Sequence, residues 1–419
     1  MPFPCQFLDG LANRRERQGG DAHAHSSLHR SYYSSLARGQ LARNAHVSGP
    51  TAAEADRHSR SAALTLALTL PGDTVLYLLL PLHAAEFGVT LAEAGILLAA
   101  NRLVRILGYG QVAGLYTRRG PRTACCFAAI AAALATLGYA TLSGVWALLI
   151  ARLLWGLAFA AMNIANQALP TALPEGAARR SGRARSIVAV GPMVGLLAGA
   201  ALAEVTGPRP VFLVLGVIAL LAIPAALRLP SEPEGKLASG PRFALPAALD
   251  VWSFCFGLTL DGLFVIGLSL LAAEALPTGA GLAAGAALAL RYAAEILLSP
   301  AGGALAHRVG AKPLLVGLSI AAAGGLALLG WGGLLLWPAA VATVLIRALL
   351  QPLPGPVAAE ENPGPARVPA LARQATWRDI GAGTGPLLAG VLLPLLPALV
   401  LWGGAAALLT GASLALRRR

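Results

Sequence analysis

Nine ionisable side chains fall inside stretches of sequence that are otherwise apolar: Asp73, Arg102, Arg105, Arg152, Asp261, Arg291, Glu295, Arg347 and Asp379. A charge at the centre of a bilayer costs on the order of 2.5–3.5 kcal/mol on insertion scales, so such residues persist where they find a partner or water. Carboxylates and guanidiniums so placed can move protons, because burial and an adjacent arginine push a carboxylate's proton affinity in opposite directions. A carboxylate that alternates between a protonated and an arginine-paired form then couples a proton to another event. Asp73 and Glu295 are the expected carriers. Arg291 and Glu295, four residues apart, share a helix face. The same nine residues also suit static ion pairs that fasten helices, and Arg102 and Arg291 could instead extend their stems toward lipid headgroups.

Uncharged polar groups accompany them. Asn163, Asn166 and Gln167 lie close together on one apolar stretch, and Asn101 adjoins Arg102. They could touch a substrate or hydrogen-bond between helices. Tyr77, Trp155, Phe159, Phe254 and Phe264 could line a cavity or simply pack.

The elements that must position these groups are membrane helices. The chain has 419 residues, of which 56% are hydrophobic and 12% charged, against roughly 25% charged in a soluble domain. Apolar runs such as Val145–Ala168 approach the ~20 residues needed to cross ~30 Å of hydrocarbon. Twelve spans are expected near 62–83, 94–116, 123–142, 145–168, 185–205, 209–228, 246–272, 280–305, 313–331, 334–352, 373–393 and 396–415. The fold class is therefore all-α integral membrane.

A net charge of +13 would suggest nucleic acid in a soluble protein, but the arginines cluster between spans. The stretches Arg118–Arg122, Arg179–Arg185, Arg228–Arg242, His307–Lys312 and Arg367–Arg373 are basic and alternate with connections poor in Arg and Lys, such as Leu142–Gly144, Glu274–Gly279 and Leu393–Pro397. The positive-inside bias places both termini in the cytoplasm, and the Ala-, Gly- and Arg-rich composition suits a bacterial inner membrane. Four cysteines without ligand spacing indicate neither a disulfide framework nor a metal site, and no cofactor is expected.

Residues 1–60 are polar and hold five of the seven histidines. They read as a disordered, basic cytoplasmic tail. Residues 61–228 and 244–416 follow as two six-helix halves, joined by a cytoplasmic linker at 229–243 and closed by the basic end 417–419. The halves repeat. Gly114-Leu-Tyr-Thr-Arg118-Arg-Gly120-Pro-Arg122 follows span two, and Gly303-Ala-Leu-Ala-His-Arg308-Val-Gly310-Ala-Lys312 follows span eight, with Gly120 and Gly310 190 residues apart. Gly191-Pro192-Met-Val-Gly195 in span five matches Gly385-Pro386 in span eleven, 194 residues on. Arg152-x-x-x-Gly156 matches Arg347-x-x-x-Gln351, and Asp73 matches Asp261.

These motifs resemble the major facilitator superfamily, whose signature after spans two and eight reads approximately G-x-x-x-D-R-x-G-R-R. Thr117 and His307 stand where that signature has an acidic residue. Arg152-x-x-x-Gly156 is similar to the family's span-four motif, and Gly191-Pro192-x-x-Gly195-x-x-x-Gly199 resembles a span-five motif associated with exporters. The resemblance covers roughly residues 62–416 and implies a monomeric secondary transporter in the bilayer, moving a small organic molecule by alternating access. Proton-coupled efflux is the expected activity. Uptake of a nutrient or anion, with Arg102, Arg105 and Arg291 as an electropositive site, is the alternative within transport. A receptor or assembly protein that kept the fold is a further reading. A membrane-embedded transferase is disfavoured, since the sequence shows no HxxxxD-like pair, DxD element or nucleotide loop.

Overall fold

In the computed structural model, residues 50–233, 246–275 and 280–418 are described. Most of the expected tail (residues 1–49), residues 234–243 of the expected linker, the connection at 276–279 and Arg419 lie outside the described residues.

The described chain is helical throughout. The membrane helices are α1 (Ala52–Leu82), α2 (91–119) and α3 (121–141), which form one run broken at Gly120, α4 (Val145–Ala168), α5 (Ala177–Thr206) and α6 (Pro208–Leu227). The second six are α7 (248–275), α8 (Ala280–Val309), α9 (Ala311–Trp331), α10 (Leu336–Leu350), α11 (Arg367–Leu392) and α12 (Ala398–Arg417), with a short helix Pro354–Glu361 after α10. Nine helical segments among the described residues are long and apolar enough to cross a membrane. Dividing the broken run and adding α8 and α11 accommodates twelve crossings.

Helix α1 starts at Ala52, well before the expected boundary at 62, so residues 52–60 are not part of a disordered tail. A capping box explains this. Thr51 Oγ1 accepts from the Glu54 amide at 3.3 Å, and the Glu54 carboxylate accepts from the Thr51 amide at 2.9 Å, satisfying two donors that a helix start leaves open. Thr90 and Glu93 repeat the device at α2.

The start of α1 and the chain after α6 share one face, the linker face, where Asp56 pairs with Arg183 and Arg122 meets Leu229. Its motif turns depend on glycine. Gly120 breaks the α2–α3 run at φ 82°, Gly310 separates α8 from α9 at φ 94°, and both lie in a region that side chains with a Cβ rarely adopt. A Cβ on Gly120 would also lie 2.5 Å from the Ser231 carbonyl oxygen. Arg122 fixes the chain there by donating from Nε to the Leu229 carbonyl at 2.7 Å. Arg118 and Arg308 are exposed, Gly114 is buried, and Lys312 pairs with Glu361 at 2.8 Å.

Two expected basic connections are helical. Arg179–Arg185 forms the first turns of α5, and Arg367–Arg373 those of α11. Hydropathy marks where a helix leaves lipid, whereas hydrogen bonds decide where it ends. Arg180 secures the α4–α5 connection by donating from Nε to the Pro170 carbonyl at 2.8 Å. Arg185 is consequently carried into the span.

Small residues let the backbones approach. A Cβ on Gly191 would collide with the Ala67 carbonyl of α1, and one on Gly195 would lie 2.7 Å from Pro71 Cβ. In the second half the Cβ of Gly262 in α7 would lie 2.6 Å from Gly385 Cα in α11. Both helices run unbroken through Pro192 and Pro386. Helix α7 widens to a π-helix over Gly257–Leu263, a local form that often marks a functional position. Asp261 sits in it.

Candidate functional site

Asp73 on α1 forms an ion pair with Arg152 Nη1 on α4 and accepts from Asn101 Nδ2 at 3.0 Å. Arg152 is wholly buried, donates from Nε to the Leu97 carbonyl at 3.1 Å and lies 5.2 Å from the Tyr77 ring centre. All of these groups belong to the first six helices. Gly156, one turn beyond Arg152, lets α4 approach α2, since a Cβ there would lie 2.9 Å from the Asn101 carbonyl oxygen.

The repeat-related pair is Asp261 on α7 with Arg347 on α10, joined through Nε at 3.0 Å and through Nη2. It is extended at both ends. Arg347 Nη1 also holds Glu295 on α8 at 2.6 Å, and Arg185 on α5 binds the other oxygen of Glu295 at 2.6 Å. Arg378 on α11 donates from Nε to Asp261 at 2.8 Å and from Nη2 to Gln351 at 2.7 Å. The result is an alternating chain, Arg185–Glu295–Arg347–Asp261–Arg378, that begins in the first half and ends in the second.

A third cluster also crosses between halves. Arg105 on α2 meets Asp379 on α11 at 3.1 Å. Tyr109 donates to the same carboxylate at 3.0 Å and accepts from Asn163 on α4 at 3.1 Å. The Arg105 guanidinium lies 4.4 Å from the Phe159 ring centre, and Phe159 in turn stacks on Trp155.

The two bridges between halves occupy equivalent places in the repeat. Arg105 and Glu295 each precede their turn glycine, Gly120 or Gly310, by 15 residues, and Arg185 and Asp379 each precede their Gly-Pro pair by six. Their polarity is reversed. In both bridges the first half supplies the arginine and the second half the carboxylate.

Arg291 does not pair with Glu295 as the shared helix face suggests. Arg185 and Arg347 occupy both oxygens of that carboxylate, and Arg291 turns over the Tyr292 ring, 4.6 Å from its centre. Arg102 makes no ion pair or hydrogen bond among the described residues; it faces α11, with Cδ 3.7 Å from the position a Gly383 Cβ would take. Arg102 Nη1 and Arg291 Nε are buried atoms without a partner, so neither nitrogen reaches headgroups. Asn101 and Asn163 belong to the networks, Gln167 packs beside Gly355, and Asn166 Oδ1 is buried without a donor.

Sequence reasoning missed Arg185, Arg378 and Tyr109. Arg185 was hidden in a stretch read as a basic connection. The signal was present in the repeat, because counting six residues back from each Gly-Pro pair reaches Arg185 and Asp379 alike. An apolar groove of about 430 Å³ between α1, α5 and α6 lies apart from these charges and is lined by residues such as Leu64, Val190 and Val194. Its lining carries no ionisable group, as suits a surface against acyl chains.

The family model described as Major Facilitator Superfamily matches residues 62–278, half of the chain, including Asp73, Arg152 and the first Gly-Pro pair. The chain belongs to the major facilitator superfamily. It is an integral membrane transporter, all-α in fold. No protein with a curated description matches the sequence. Two similar solved structures are the human organic anion transporter MFSD10 (TM-score 0.71, 18% identity, covering 86% of this chain and 99% of that one) and a bacterial homologue of the iron transporter ferroportin in an outward-facing state (TM-score 0.66, 13% identity, covering 86% and 98%). At these identities they establish the fold of this superfamily member. Among its described residues no cluster of three or more His, Cys, Asp or Glu is arranged to hold a metal ion.

Proposed function

We propose that this superfamily member is a secondary transporter that moves a small organic solute by alternating access, coupled to protons and working in the direction of export. The observation that carries the reading is the pair of buried bridges between halves, Arg105–Asp379 and Arg185–Glu295. Both lie on the linker-face side of contacts that any rocking motion must change. Around them, a Cβ on Gly182 would lie 3.2 Å from Gly303 Cα, Ser186 donates to the Ile296 carbonyl at 2.6 Å, and Arg367 donates to Thr171 Oγ1 at 3.2 Å. Farther from that face α5 packs on α1, and α11 on α7. The arrangement is closed at the linker face.

Opening that face separates each carboxylate from its cross-half arginine. Asp379 is then left without an ion-pair partner, and Glu295 keeps only Arg347; a buried carboxylate that loses an arginine is costlier as an anion and cheaper as an acid, so proton binding to Asp379 or Glu295 favours opening and re-pairing expels the proton. Asp73 differs, because Arg152 and Asn101 travel with it in the same half. We therefore assign the coupling to Glu295 and Asp379, and to Asp73 the fastening of α1 to α4. The basic linker face is cytoplasmic on the positive-inside bias, with the chain acting as a monomer in a bacterial inner membrane; the direction of export rests on Gly191–Gly199.

The test is reconstitution into liposomes carrying a pH-sensitive dye, with an imposed pH gradient and pooled solutes. Solute-dependent proton flux that is lost in Glu295→Gln and Asp379→Asn is expected. Solute movement without proton flux would remove the coupling, and a reversed requirement for the gradient would make uptake the physiological direction.

A further inference from the structure

Ion pairing within the site is unequal. The three clusters and their neighbours hold seven arginines, at 102, 105, 152, 185, 291, 347 and 378, and four carboxylates, at 73, 261, 295 and 379. Every carboxylate is engaged by at least one arginine, so the surplus is cationic. Among the described residues, one of the three excess charges is shared within the Arg185–Glu295–Arg347–Asp261–Arg378 chain, and the other two are Arg102 and Arg291, which alone of the seven make no ion pair. A partnerless guanidinium is the least tolerable group at such depth, because it cannot discharge itself by losing a proton.

Their placement is regular. Arg102 precedes Gly120 by 18 residues and Arg291 precedes Gly310 by 19, so the repeat sets one on each half at nearly the same depth. Each lies about one helical turn farther from the linker face than its neighbour in a bridge between halves, Arg105 or Glu295. The two therefore stand just beyond the closed contacts. Aromatic groups lie against Arg291 and against Arg105, the neighbour of Arg102 one turn away. Tyr292 lies under Arg291, and the Trp155–Phe159 stack lies beside Arg105, with the Trp155 indole N–H buried and unpartnered.

We infer that the transported solute is an organic anion with an apolar or aromatic body, its oxygens drawn to the unpaired guanidinium that each half presents, Arg102 or Arg291. Guanidinium presents a planar fork that suits carboxylate, sulfonate and phosphate oxygens. Anion oxygens supply the acceptors that these side chains lack. The inference rests on the transporter reading but not on its direction or on proton coupling.

Binding and transport are tested separately. The purified full chain in detergent is heated with benzenesulfonate, 2-naphthoate and phenyl phosphate, and with the similarly sized benzenesulfonamide, 2-naphthamide and benzyltrimethylammonium. Stabilisation confined to the anions is expected, at least about tenfold weaker in Arg102→Gln and in Arg291→Gln. Lys at either position keeps the charge without the fork and should restore part of the affinity. The melting temperature without solute reports folding of each variant in the same experiment. Stabilisation by the neutral or cationic compounds, by none of the six, or by the anions equally in both Gln variants overturns the assignment. In liposomes, flux of the neutral or cationic compounds would leave the transporter reading standing and remove the anion; anions that bind yet never cross would do the reverse.

Discussion

Removing the charge of Asp379 while keeping its shape should open the linker face. Asp379→Asn leaves Arg105 as an uncompensated cation between α2 and α11, with side-chain exposures of 8% for Arg105 and 15% for Asp379 in the parent protein. Breaking a buried pair from one side costs about 3–5 kcal/mol. Residual solvent at this pair and the amide's remaining hydrogen bonds reduce that to about 2 kcal/mol, a factor of roughly 30 in population. The cost falls on the closed arrangement alone, because the bridge exists only while the halves meet there. Spin labels at Arg179 and Arg308, both exposed at the linker-face ends of α5 and α8, would read it on a background with the native cysteines replaced. A short distance should dominate in the parent and a longer one should grow in Asp379→Asn. Exchanging the partners, Arg105→Asp with Asp379→Arg, should restore the short distance. Unchanged distances in the single variants, or an exchange that behaves like them, would refute the bridge as a closure.

Three other outcomes follow from the packing. Arg152→Met leaves Asp73 buried and unpaired and should lower stability by about 3–5 kcal/mol, while adding Asp73→Asn should recover much of it; thermal unfolding in detergent measures both. Gly303→Ala should favour the open arrangement in the spin-label experiment, because its Cβ would lie 3.1 Å from Gly182 Cα and collide with the Ala178 carbonyl, whereas Gly390→Ala, with nothing within 4 Å of its Cβ, should stay within about 0.5 kcal/mol of the parent. Gly120→Ala forces a Cβ into left-handed backbone at φ 82° and against the Ser231 carbonyl, so a loss of at least about 1–2 kcal/mol is expected in the same unfolding measurement.

The membrane helices, the repeat and the glycine turns were legible from the residues alone. These depend on properties each segment carries alone: enough apolar length to replace water by lipid, and a missing Cβ where φ turns positive, as at Gly120 and Gly310. Asp73, Arg152, Asp261 and Arg347 were visible as charges in apolar runs. Their partners were a matter of which helix faces meet. Arg185 lies in a stretch whose basic residues suggest a cytoplasmic connection, yet the start of α5 at Ala177 carries it inward to Glu295, 110 residues away, and Arg105 reaches Asp379 across 274 residues. Arg291 shows the limit most clearly, since local spacing assigns it Glu295 while Arg347 and Arg185 hold that carboxylate from two other helices. Hydropathy and backbone conformation act over one or two helical turns, whereas buried charge is neutralised by whatever the tertiary packing brings within about 4 Å. Which guanidiniums meet carboxylates, and which two stay unpaired, is therefore settled by how the helices pack and not by any one segment.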